Sequence, residues 1–461
     1  MKDHITQILA RYTVELTYDK VPQDVVEETK VRVLDSIGVA VPAVFGEPVY
    51  KTRRILLDLG CNGLLCAEPI LYPAVVPLEW ACMTSSLMVR YLDFNDTYLS
   101  REPLHPSDMI GGLLTLAGGL HRSGKDLITS IALAYEIGCR LCDCGSLRVH
   151  GWDHVNYILV AMTLAAGKLM NLDESQLSEA LSIAVVSHAS MRQARVGELS
   201  HWKAYATADA VRHAVFSCIL AKHGVTGPDK PFTGEMGFIK QLLSNEFDDR
   251  PVRELENIPP PKKVRETIVK HFPVEIHSQT AVEAAQEIRR QVEIREPDDI
   301  EKIEIYTFRV GYEIIARDPE KWDPKTKETA DHSLPWITAT ALLEGEVWLH
   351  HYEPDRIRDP RVLSLLKRTE VKIDPEIDKL YPEAIPNRVV VRLRDGRVVE
   401  SRVDYPLGHP RRPMSWKDVE SKFRRLVSPY MTKERVETVI QLVKSLENID
   451  DVYELIDALR L

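Results

Sequence analysis

Apolar residues recur at three- and four-residue spacing from residue 3 to about residue 245, and this pattern predicts a succession of helices. The predicted helices cover residues 25–39, 77–93, 106–121, 125–142, 154–170, 175–190 and 205–223. Asp173 precedes a helix as a cap, Gly124 and Gly224 mark helix stops, and Pro106 suits a first turn, where its missing N–H costs nothing. This part of the chain therefore predicts a large helical domain.

The pattern changes after residues 248–261, which hold four prolines and many charges and indicate a domain boundary. Residues 300–308 alternate between apolar and polar, as do 371–373 with their flanks. Residues 388–394 and 397–403 alternate around Asp395-Gly396, a two-residue hairpin signal. Helical patterns cover 280–292 and 335–343. This stretch therefore predicts a smaller α+β domain, and the long connections leave its strand order open.

From residue 415 to the end the pattern is helical again. The simplest packing returns this segment to the large helical domain. The predicted fold is mainly α: an all-helical domain built from both chain ends, residues 1–264 and 410–461, with an inserted α+β lid domain, residues 265–409.

Composition agrees with a folded globular protein. The chain has 461 residues, 44% hydrophobic and 28% charged, and 59 basic against 69 acidic residues give a net charge of −10. A mildly acidic balance disfavours nucleic acids and anionic membranes as partners. The sequence has no apolar run of the roughly 18 residues that span a bilayer, and its first residues do not resemble a signal peptide. We therefore predict a cytoplasmic protein.

Seven cysteines, an odd number in a long chain, suggest reduced thiols. Cys139, Cys142 and Cys144 could be imagined as iron–sulfur ligands, but two of them end an amphipathic helix, and such ligands belong on an open loop. Buried, apolar thiols are the favoured interpretation. HExxH, GxGxxG, GxSxG and phosphate-loop motifs are absent from the sequence. The glycine pairs 111–112 and 118–119 indicate close helix packing. We predict neither a metal nor a cofactor.

The first segment with candidate chemistry is residues 91–109, YLDFNDTYLSREPLHPSDM. Polar groups just after a buried helix, followed by a histidine at a new helix start, often line a cleft; these are Asp93, Asn95, Asp96, Thr97 and His105. Backbone N–H groups at the start of the Pro106 helix would also favour an anion. The alternative is a helix end, a solvated loop and a cap.

The second segment is residues 191–203, MRQARVGELSHWK. Arg192, Arg195, His201 and Lys203 place four potential cations in a predicted irregular stretch between two helices. Polycarboxylates need such groups, and arginine offers a bidentate fork. The alternative is a basic surface loop.

The third segment is residues 270–283, KHFPVEIHSQTAVE. Thr280 and Glu283 form a capping-box pattern, which predicts a helix start near residue 281. Lys270, Glu275 and His277 then lie just before a helix N-terminus, and the alternative is a domain-linking turn. Two shorter motifs, Asp153-His154 and Asp331-His332-Ser333, precede helices and are interpreted as caps.

These segments resemble the MmgE/PrpD family, most closely its 2-methylcitrate dehydratase branch. The similar stretches are DFNDT and HPSD (93–97, 105–108), GWDHV (151–155), WKAYATADA (202–210), FPVEIHSQTAVEAA (272–285), DHS (331–333) and YPLGHPRR (405–412). The resemblance covers nearly the whole chain. It implies the helical domain with an inserted lid, a homodimer, a site in the cleft between the domains and no metal or cluster.

Individual residues carry over with the resemblance. Asp93, Thr97, His105, Lys203 and Lys270 match positions that the family places in its cleft; His154 matches approximately, and Arg192 and Arg195 have counterparts in the dehydratase branch. The step from Thr97 to His105 is shorter in related cis-aconitate decarboxylases, which carry a histidine in place of Glu275. The resemblance therefore favours dehydration over decarboxylation.

The implied reaction removes water from 2-methylcitrate in propionate catabolism. Without a metal, Lys203 and Lys270, with Arg192 as a further cation, would stabilise the carboxylate next to the carbon that loses its proton. Asp93 and His105 are the expected proton-transfer pair, and a carboxylate near His105 would hold its tautomer. Glu275 and His277 are the alternative pair. Asn95 and Thr97 would position the substrate, with His154, Arg192 and Arg195 as further binding residues.

Three rival interpretations remain open. The first is another activity on the same scaffold, a citrate or cis-aconitate hydro-lyase or a cis-aconitate decarboxylase. The second is a non-catalytic carboxylate-binding or scaffold protein. The third is an iron–sulfur hydro-lyase. Substrate stereochemistry, the order of proton transfers and lid motion stay open as well.

Overall fold

The computed structural model describes residues 2–63 and 65–461, which form two compact units. The first unit comprises the described residues of Met1–Ala194, Trp202–Thr267 and Ser415–Leu461. The second unit comprises Arg195–His201 and Ile268–Met414. The division therefore lies after Thr267 and after Met414, and the proline-rich stretch 248–261 belongs to the first unit.

The chain contains 21 described α-helices, numbered through both units. The first unit has α1 His4–Glu15, α2 Gln23–Ala43, α3 Glu47–Leu59, α4 Leu78–Tyr91, α5 Ile110–Gly119, α6 Gly124–Cys144, α7 Val155–Leu169, α8 Glu174–Ser187, α9 Trp202–Lys222, α10 Phe238–Leu243 and α11 Arg250–Arg253. The second unit has α12 Gln279–Gln291, α13 Arg309–Ile315, α14 Lys327–Ala330, α15 Leu334–Glu344, α16 Pro354–Ile357, α17 Pro360–Leu366 and α18 Pro375–Asp378. The first unit then ends with α19 Trp416–Val427, α20 Lys433–Lys444 and α21 Tyr453–Ala458.

The described residues also contain six strands. β1 Cys66–Ala67 and β2 Val76–Pro77 form a short antiparallel pair in the first unit. The second unit holds β3 Ile300–Thr307, β4 Thr369–Ile373, β5 Asn387–Leu393 and β6 Val398–Val403 in the order β4-β3-β5-β6. β3 runs parallel to β4, whereas β3–β5 and β5–β6 are antiparallel. The mainly α fold class is confirmed.

All seven helices predicted before residue 245 are present as α4–α9 and α2, with ends shifted by a few residues. Asp173 caps α8 as predicted, because its side chain accepts a hydrogen bond from the Gln176 N–H at 2.8 Å. Gly224 follows α9 with φ +85°, as expected for a helix stop. Gly124 instead begins α6 behind its cap Ser123, so its prediction as a stop is wrong.

Small residues bring the central helices of the first unit close together. A Cβ atom at Gly111 of α5 would lie 2.4 Å from the backbone oxygen of Ser85 in α4. One at Gly112 would lie 2.7 Å from Val211 Cγ1 in α9. The predicted close packing at this glycine pair is confirmed, and it fixes the helices that carry the candidate site.

No helix in the described ranges 2–63 and 65–461 is by itself long and apolar enough to cross a membrane. Only when α2 and α3 are taken together, with a bend of 84° between them, do they have the length and apolar composition of a membrane-spanning segment.

The core of the second unit lies between its sheet and two helices. Ile303 and Ile305 of β3 and Val389 of β5 are fully buried with Trp336 of α15 and Ala285 of α12. The alternating burial of β3 follows the alternation in the sequence.

Four residues, 394–397, separate β5 from β6, and the bond between Leu393 and Arg397 closes a three-residue loop rather than the predicted two-residue turn. The Gly396 N–H donates to the Leu393 carbonyl, the Leu393 N–H donates to the Arg397 carbonyl, and Gly396 has φ +89°. This is a tight turn followed by a left-handed glycine, one of the common three-residue hairpin loops.

The predicted capping box at Thr280 and Glu283 is wrong. α12 begins at Gln279, and the Thr280 hydroxyl donates to the Ile385 carbonyl at 2.7 Å. Glu283 accepts from the Leu407 N–H at 2.7 Å. Both side chains are used for tertiary contacts, so they do not cap the helix.

Two of the seven cysteines are not reduced, contrary to expectation. Cys61 and Cys66 form a disulfide, because the chain turns back between α3 and β1 and brings their Cα atoms to 5.9 Å. Cys139, Cys142 and Cys144 are free and buried. Burial raises the pKa of the Cys139 and Cys142 thiols well above its usual value. Their interpretation as buried, apolar thiols is confirmed.

Candidate active site

A buried ion cluster forms where α4 ends. Asp93 follows the helix with φ +53° and is 1% exposed. Its Oδ1 lies 2.7 Å from Arg90 Nη1, and its Oδ2 lies 3.1 Å from Lys203 Nζ. The buried Asp93 carboxylate holds both cations in place, and a second buried carboxylate, Asp108, lies 3.7 Å from Arg90 Nε through its Oδ2.

Lys203 lies in the first turn of α9, not in the irregular stretch where the sequence analysis placed it. It is 4% exposed, which argues against the alternative of a basic surface loop at this position. The apolar pattern did not mark this first turn as helical, because it is Trp-Lys-Ala rather than a regular apolar stripe.

Thr97 and His105 lie side by side. The Thr97 Oγ1 atom is 3.1 Å from His105 Nδ1, and the Asp96 carbonyl oxygen is 2.8 Å from the same nitrogen. A carbonyl oxygen can only accept a hydrogen bond, so Nδ1 carries the proton. In the neutral ring, Nε2 is then the proton acceptor. A backbone carbonyl thus fills the role that the sequence analysis gave to a carboxylate.

The Asp96 carboxylate occupies the start of the Pro106–Met109 turn. Its Oδ1 accepts from the Ser107 N–H at 3.0 Å, and its Oδ2 accepts from the Tyr135 hydroxyl at 2.9 Å. Arg32 Nε lies 3.4 Å from Oδ2. The expectation that this helix start would bind an external anion is therefore wrong, since the chain supplies the anion itself.

Asn95 has a largely structural set of contacts. Its Nδ2 donates to Ser107 Oγ at 2.8 Å and to Asp108 Oδ1 at 2.7 Å. Asp108 Oδ2 accepts from the Thr207 hydroxyl at 2.8 Å. The Asn95 amide group therefore ties the segment after α4 to the start of α5 and, through Asp108, to α9.

His154 lies beside His105. The two ring centroids are 5.6 Å apart at 65°. His154 Nδ1 is 3.2 Å from Asp153 Oδ1, and both residues are buried. Asp153 Oδ1 also accepts from the Val155 N–H at 3.3 Å, but the N-cap position of α7 is His154, which makes no side-chain cap hydrogen bond, so the predicted cap is not formed in the usual way.

The four cations predicted between residues 191 and 203 fall in different units. Arg192 belongs to the first unit with Lys203, whereas Arg195 and His201 belong to the second. The Arg192 N–H donates to the Gly151 carbonyl at 2.9 Å, which places it next to the segment of Asp153. Its charge, with that of Arg148, lowers the pKa of Glu102, although burial dominates and raises that pKa to about 7.

The second unit has its own group, at Lys270, Glu275 and His277. Glu275 Oε1 is 2.8 Å from His277 Nδ1, and its Oε2 accepts from the His277 N–H at 2.8 Å. Burial alone would raise the pKa of Glu275, but His277, His332 and Lys270 together hold it below its usual value. Lys270 is 1% exposed. The segment follows the division after Thr267, as the alternative of a domain-linking turn expected, but its candidate side chains are buried.

The Gln279 side chain makes four hydrogen bonds to the backbone of the loop that carries this group. Gln279 Oε1 accepts from the His271 and Phe272 N–H groups, and its Nε2 donates to the Phe272 and Val274 carbonyls. The His277 ring packs edge-on against Phe308, with centroids 5.2 Å apart. The position of His277 is therefore fixed by backbone contacts and by packing.

The second unit holds a further acid–histidine pair, Asp331 and His332, which the sequence analysis interpreted only as a cap. His332 Nδ1 lies 2.6 Å from Asp331 Oδ1, and Lys327 Nζ lies 2.7 Å from Asp331 Oδ2. Ser333, not Asp331, caps α15 by accepting from the Trp336 N–H. The i,i+4 spacing of Lys327 and Asp331 was the available signal. The sequence analysis missed Arg90, although it lies three residues before Asp93.

The sequence matches two family descriptions. One is the MmgE/PrpD N-terminal domain, over residues 7–250, and the other is the MmgE/PrpD C-terminal domain, over residues 272–448. The chain belongs to the MmgE/PrpD family. The MmgE/PrpD N-terminal match contains Asp93, His105, His154 and Lys203, and the C-terminal match contains Glu275 and His277.

Several curated MmgE/PrpD relatives are similar over most of their length. The chain is 33% identical to "2-methylcitrate dehydratase" of Escherichia coli (strain K12) over 407 residues, which are 82% of this chain and 81% of the relative. It is 32% identical to "2-methylcitrate dehydratase" of Cupriavidus necator over 353 residues, 72% of this chain and 71% of the relative. It is 31% identical to "2-methylcitrate dehydratase-like protein oryR" of Aspergillus oryzae over 389 residues, 77% and 75% of the two chains.

Proposed function

We propose that this chain dehydrates 2-methylcitrate to 2-methyl-cis-aconitate by acid–base elimination. As a member of the MmgE/PrpD family with dehydratase relatives, it is a carbon–oxygen lyase. One observation carries the proposal for the mechanism: two neighbouring histidines, His105 and His154, have different partners at Nδ1. Elimination of water needs one group that takes a proton and one that gives a proton.

His105 is the proposed base. Its Nδ1 proton is directed at the Asp96 carbonyl, which leaves Nε2 to take the proton from the carbon next to a substrate carboxylate. Thr97 Oγ1 accepts at its contact with Nδ1–H, so its own hydroxyl hydrogen points elsewhere and can bind a substrate oxygen.

His154 is the proposed acid. The Asp153 carboxylate, 3.2 Å from Nδ1, stabilises the charged imidazolium form. The second ring nitrogen then donates its proton to the departing hydroxyl. The electron pair of the broken C–H bond forms the C=C bond, the C–O bond breaks, and the hydroxyl leaves as water.

Lys203 is the proposed carboxylate-binding cation, with Arg90 and Asp93 holding it in place. Loss of the proton concentrates negative charge on the substrate carboxylate, and a preorganised buried cation stabilises that charge. This assignment differs from the expected proton-transfer pair of Asp93 and His105. The ion pairs with Arg90 and Lys203 stabilise the ionised form of Asp93, so Asp93 is not assigned to proton transfer. Arg192 remains a proposed binding residue.

Lys270, Glu275 and His277 of the second unit are proposed to be needed for turnover. The lowered pKa of Glu275 makes it a carboxylate at neutral pH, which suits a base or an orienting group rather than an acid. Arg195 remains a proposed substrate-binding residue, and Asn95 a positioning residue.

The elimination is proposed to run without a metal. The buried thiols at Cys139, Cys142 and Cys144, whose pKa values are all raised by burial, are poor candidates for thiolate ligands. The homodimer and the cytoplasmic location remain predictions.

The deciding experiment is a substrate panel with product identification by mass spectrometry and NMR. The purified chain is incubated with 2-methylcitrate, citrate and cis-aconitate, with and without EDTA. The proposal expects conjugated product from 2-methylcitrate at a higher kcat/KM than from citrate, unchanged by the chelator. Preferred turnover of citrate, release of carbon dioxide from cis-aconitate, or loss of activity with EDTA would each reject part of it.

A further inference from the structure

The segment between Thr97 and His105 is a closed hairpin. The Tyr98 N–H donates to the Leu104 carbonyl at 2.7 Å, and the Leu104 N–H donates to the Tyr98 carbonyl at 2.9 Å. These two bonds bring the neighbouring residues Thr97 and His105 together. Whatever holds this hairpin, defined as residues 97–105, therefore holds His105 as well.

One carboxylate at the C-terminal end of α6 binds two residues of the first hairpin arm. The Tyr98 hydroxyl donates to Asp143 Oδ1 at 2.8 Å, and the Ser100 hydroxyl donates to the same oxygen at 2.6 Å. The other Asp143 oxygen lies 2.9 Å from Lys263 Nζ, which also donates to the Tyr98 hydroxyl at 2.8 Å. Charge-assisted hydrogen bonds of this kind are stronger than neutral ones and more sensitive to geometry.

The tip of the hairpin has a second attachment to the same region. The Glu102 N–H donates to the Cys142 carbonyl at 3.3 Å. Glu102 Oε2 accepts from the Ser146 hydroxyl at 2.9 Å and from the Arg148 N–H at 3.0 Å. The hairpin therefore keeps its connection to α6 when the Asp143 contacts are removed. We expect loss of Asp143 to change the register of the hairpin and not to prevent the hairpin from forming.

We infer that Asp143 is a positioning residue for His105: by binding Tyr98 and Ser100 it sets the hairpin register in which His105 Nδ1 meets the Asp96 carbonyl. This inference rests on the proposed function only in taking His105 as the base. The Asp143 side chain is 22% exposed, so it lies at the edge of the first unit and not in its core. A substitution there is expected to alter the hairpin without unfolding the chain.

The test is a mutant cycle. Asp143→Ala and the double variant Tyr98→Phe/Ser100→Ala remove the two sides of the same contacts. Each is expected to lower kcat for 2-methylcitrate about 10- to 100-fold, because a catalytic group misplaced by about 1 Å lowers the rate by up to about 100-fold. KM is expected to change less than about threefold. The triple variant is expected to lose clearly less than the product of the two separate losses, since both changes remove the contacts of Asp143 with Tyr98 and Ser100. Glu266→Gln, which changes another Lys263 partner at 2.7 Å, is the matched control and should keep wild-type kcat.

A second readout does not depend on the substrate. Long-range ¹⁵N–¹H NMR of the histidine side chains reports which ring nitrogen carries the proton, and His105→Gln identifies the His105 signals. In Asp143→Ala the single Nδ1–H tautomer is expected to give way to a mixture. Additive losses in the cycle, wild-type kcat in Asp143→Ala, or an unchanged His105 tautomer would overturn the inference. If the wild-type chain turns over no substrate in the panel, the proposed function fails, and the NMR result alone decides the positioning role.

Discussion

His105 Nδ1 lies 2.8 Å from the backbone carbonyl oxygen of Asp96, and this contact determines which ring nitrogen can accept a proton. The carbonyl is well fixed, because the Asp96 side chain is itself bound by Ser107, Tyr135 and Arg32. A base whose tautomer is set by the backbone does not depend on the protonation of a neighbouring acid.

The first prediction concerns Nε2 of that ring. His105→Gln retains an amide of similar reach but cannot transfer a proton, so kcat/KM for 2-methylcitrate is expected to fall by about two to four orders of magnitude. The absorbance of the conjugated product measures it. His121→Gln, at an exposed histidine paired with Asp451, is the control and should be fully active. A folded His105→Gln variant within tenfold of wild type would remove His105 from the mechanism.

Lys203 gives the second prediction. Lys203→Met removes the buried cation 3.1 Å from Asp93 and should lower kcat/KM about 10²- to 10³-fold, as expected for loss of one preorganised charge. Lys203→Arg keeps the charge and should lose less. Lys222→Met, at the other end of α9, tests for a general effect on the helix. Equal activity of the Met and Arg variants at residue 203 would show that charge is not what Lys203 supplies.

The fold was predictable where one periodicity dominates. α6 and α7 carry long apolar faces, and β3, β5 and β6 alternate, so their types and approximate ends follow from the sequence. The turn at Gly396 and the cap of α12 were mispredicted, because local signals such as Asp395-Gly396 and Thr280-Glu283 are compatible with several backbone geometries, and tertiary contacts selected one.

The residue types of the site were predictable, but their pairings were not. Thr97 and His105 were both candidates, yet their contact depends on a hairpin closed by backbone bonds at Tyr98 and Leu104, which leave no side-chain pattern. The disulfide at Cys61 and Cys66 likewise depends on how the chain turns after α3.

Glu102 provides the third prediction, on stability and pH. Its pKa is raised from 4.5 to about 7, first by burial, so between those values the folded chain holds a proton that the unfolded chain has released. The contribution of Glu102 to the free energy of unfolding is therefore fully present below about pH 4.5 and is lost as the pH rises through about 7. The loss is on the order of 3 kcal/mol at most. Glu102→Gln, permanently neutral, should show a smaller fall in Tm between pH 5 and pH 8. An identical pH profile in the two proteins would contradict this, and Glu266→Gln serves as the control.

Glu275 gives a fourth prediction, with the opposite sign. Its lowered pKa means that its contribution to stability is present above about pH 4.5 and is lost as pH falls through the folded-state value. Glu275→Gln should therefore have a lower Tm than wild type at pH 7. The expected loss in the free energy of unfolding is about 1 to 3 kcal/mol, the value of a hydrogen bond to a charged group. The Tm values of the two proteins should converge near pH 3. Glu287→Gln on α12, half exposed, is the matched control. A Tm difference that grows on acidification would contradict the assignment.

The last prediction tests the helix packing that supports the site. A methyl group at Gly111 would lie 2.4 Å from the Ser85 backbone oxygen, and backbone in the middle of α4 cannot easily move, so Gly111→Ala should destabilise the chain by about 1 to 3 kcal/mol. At Gly138 the nearest atom is the end of the Leu104 side chain, at 3.0 Å, which can shift, and alanine favours the helix by up to about 1 kcal/mol. Gly138→Ala should therefore be nearly neutral. Thermal denaturation compares the two variants, and equal Tm values would show that α5 does not depend on direct backbone contact with α4. Because α4 carries Arg90 and leads into Asp93, Gly111→Ala should also lower kcat at temperatures where the variant remains folded.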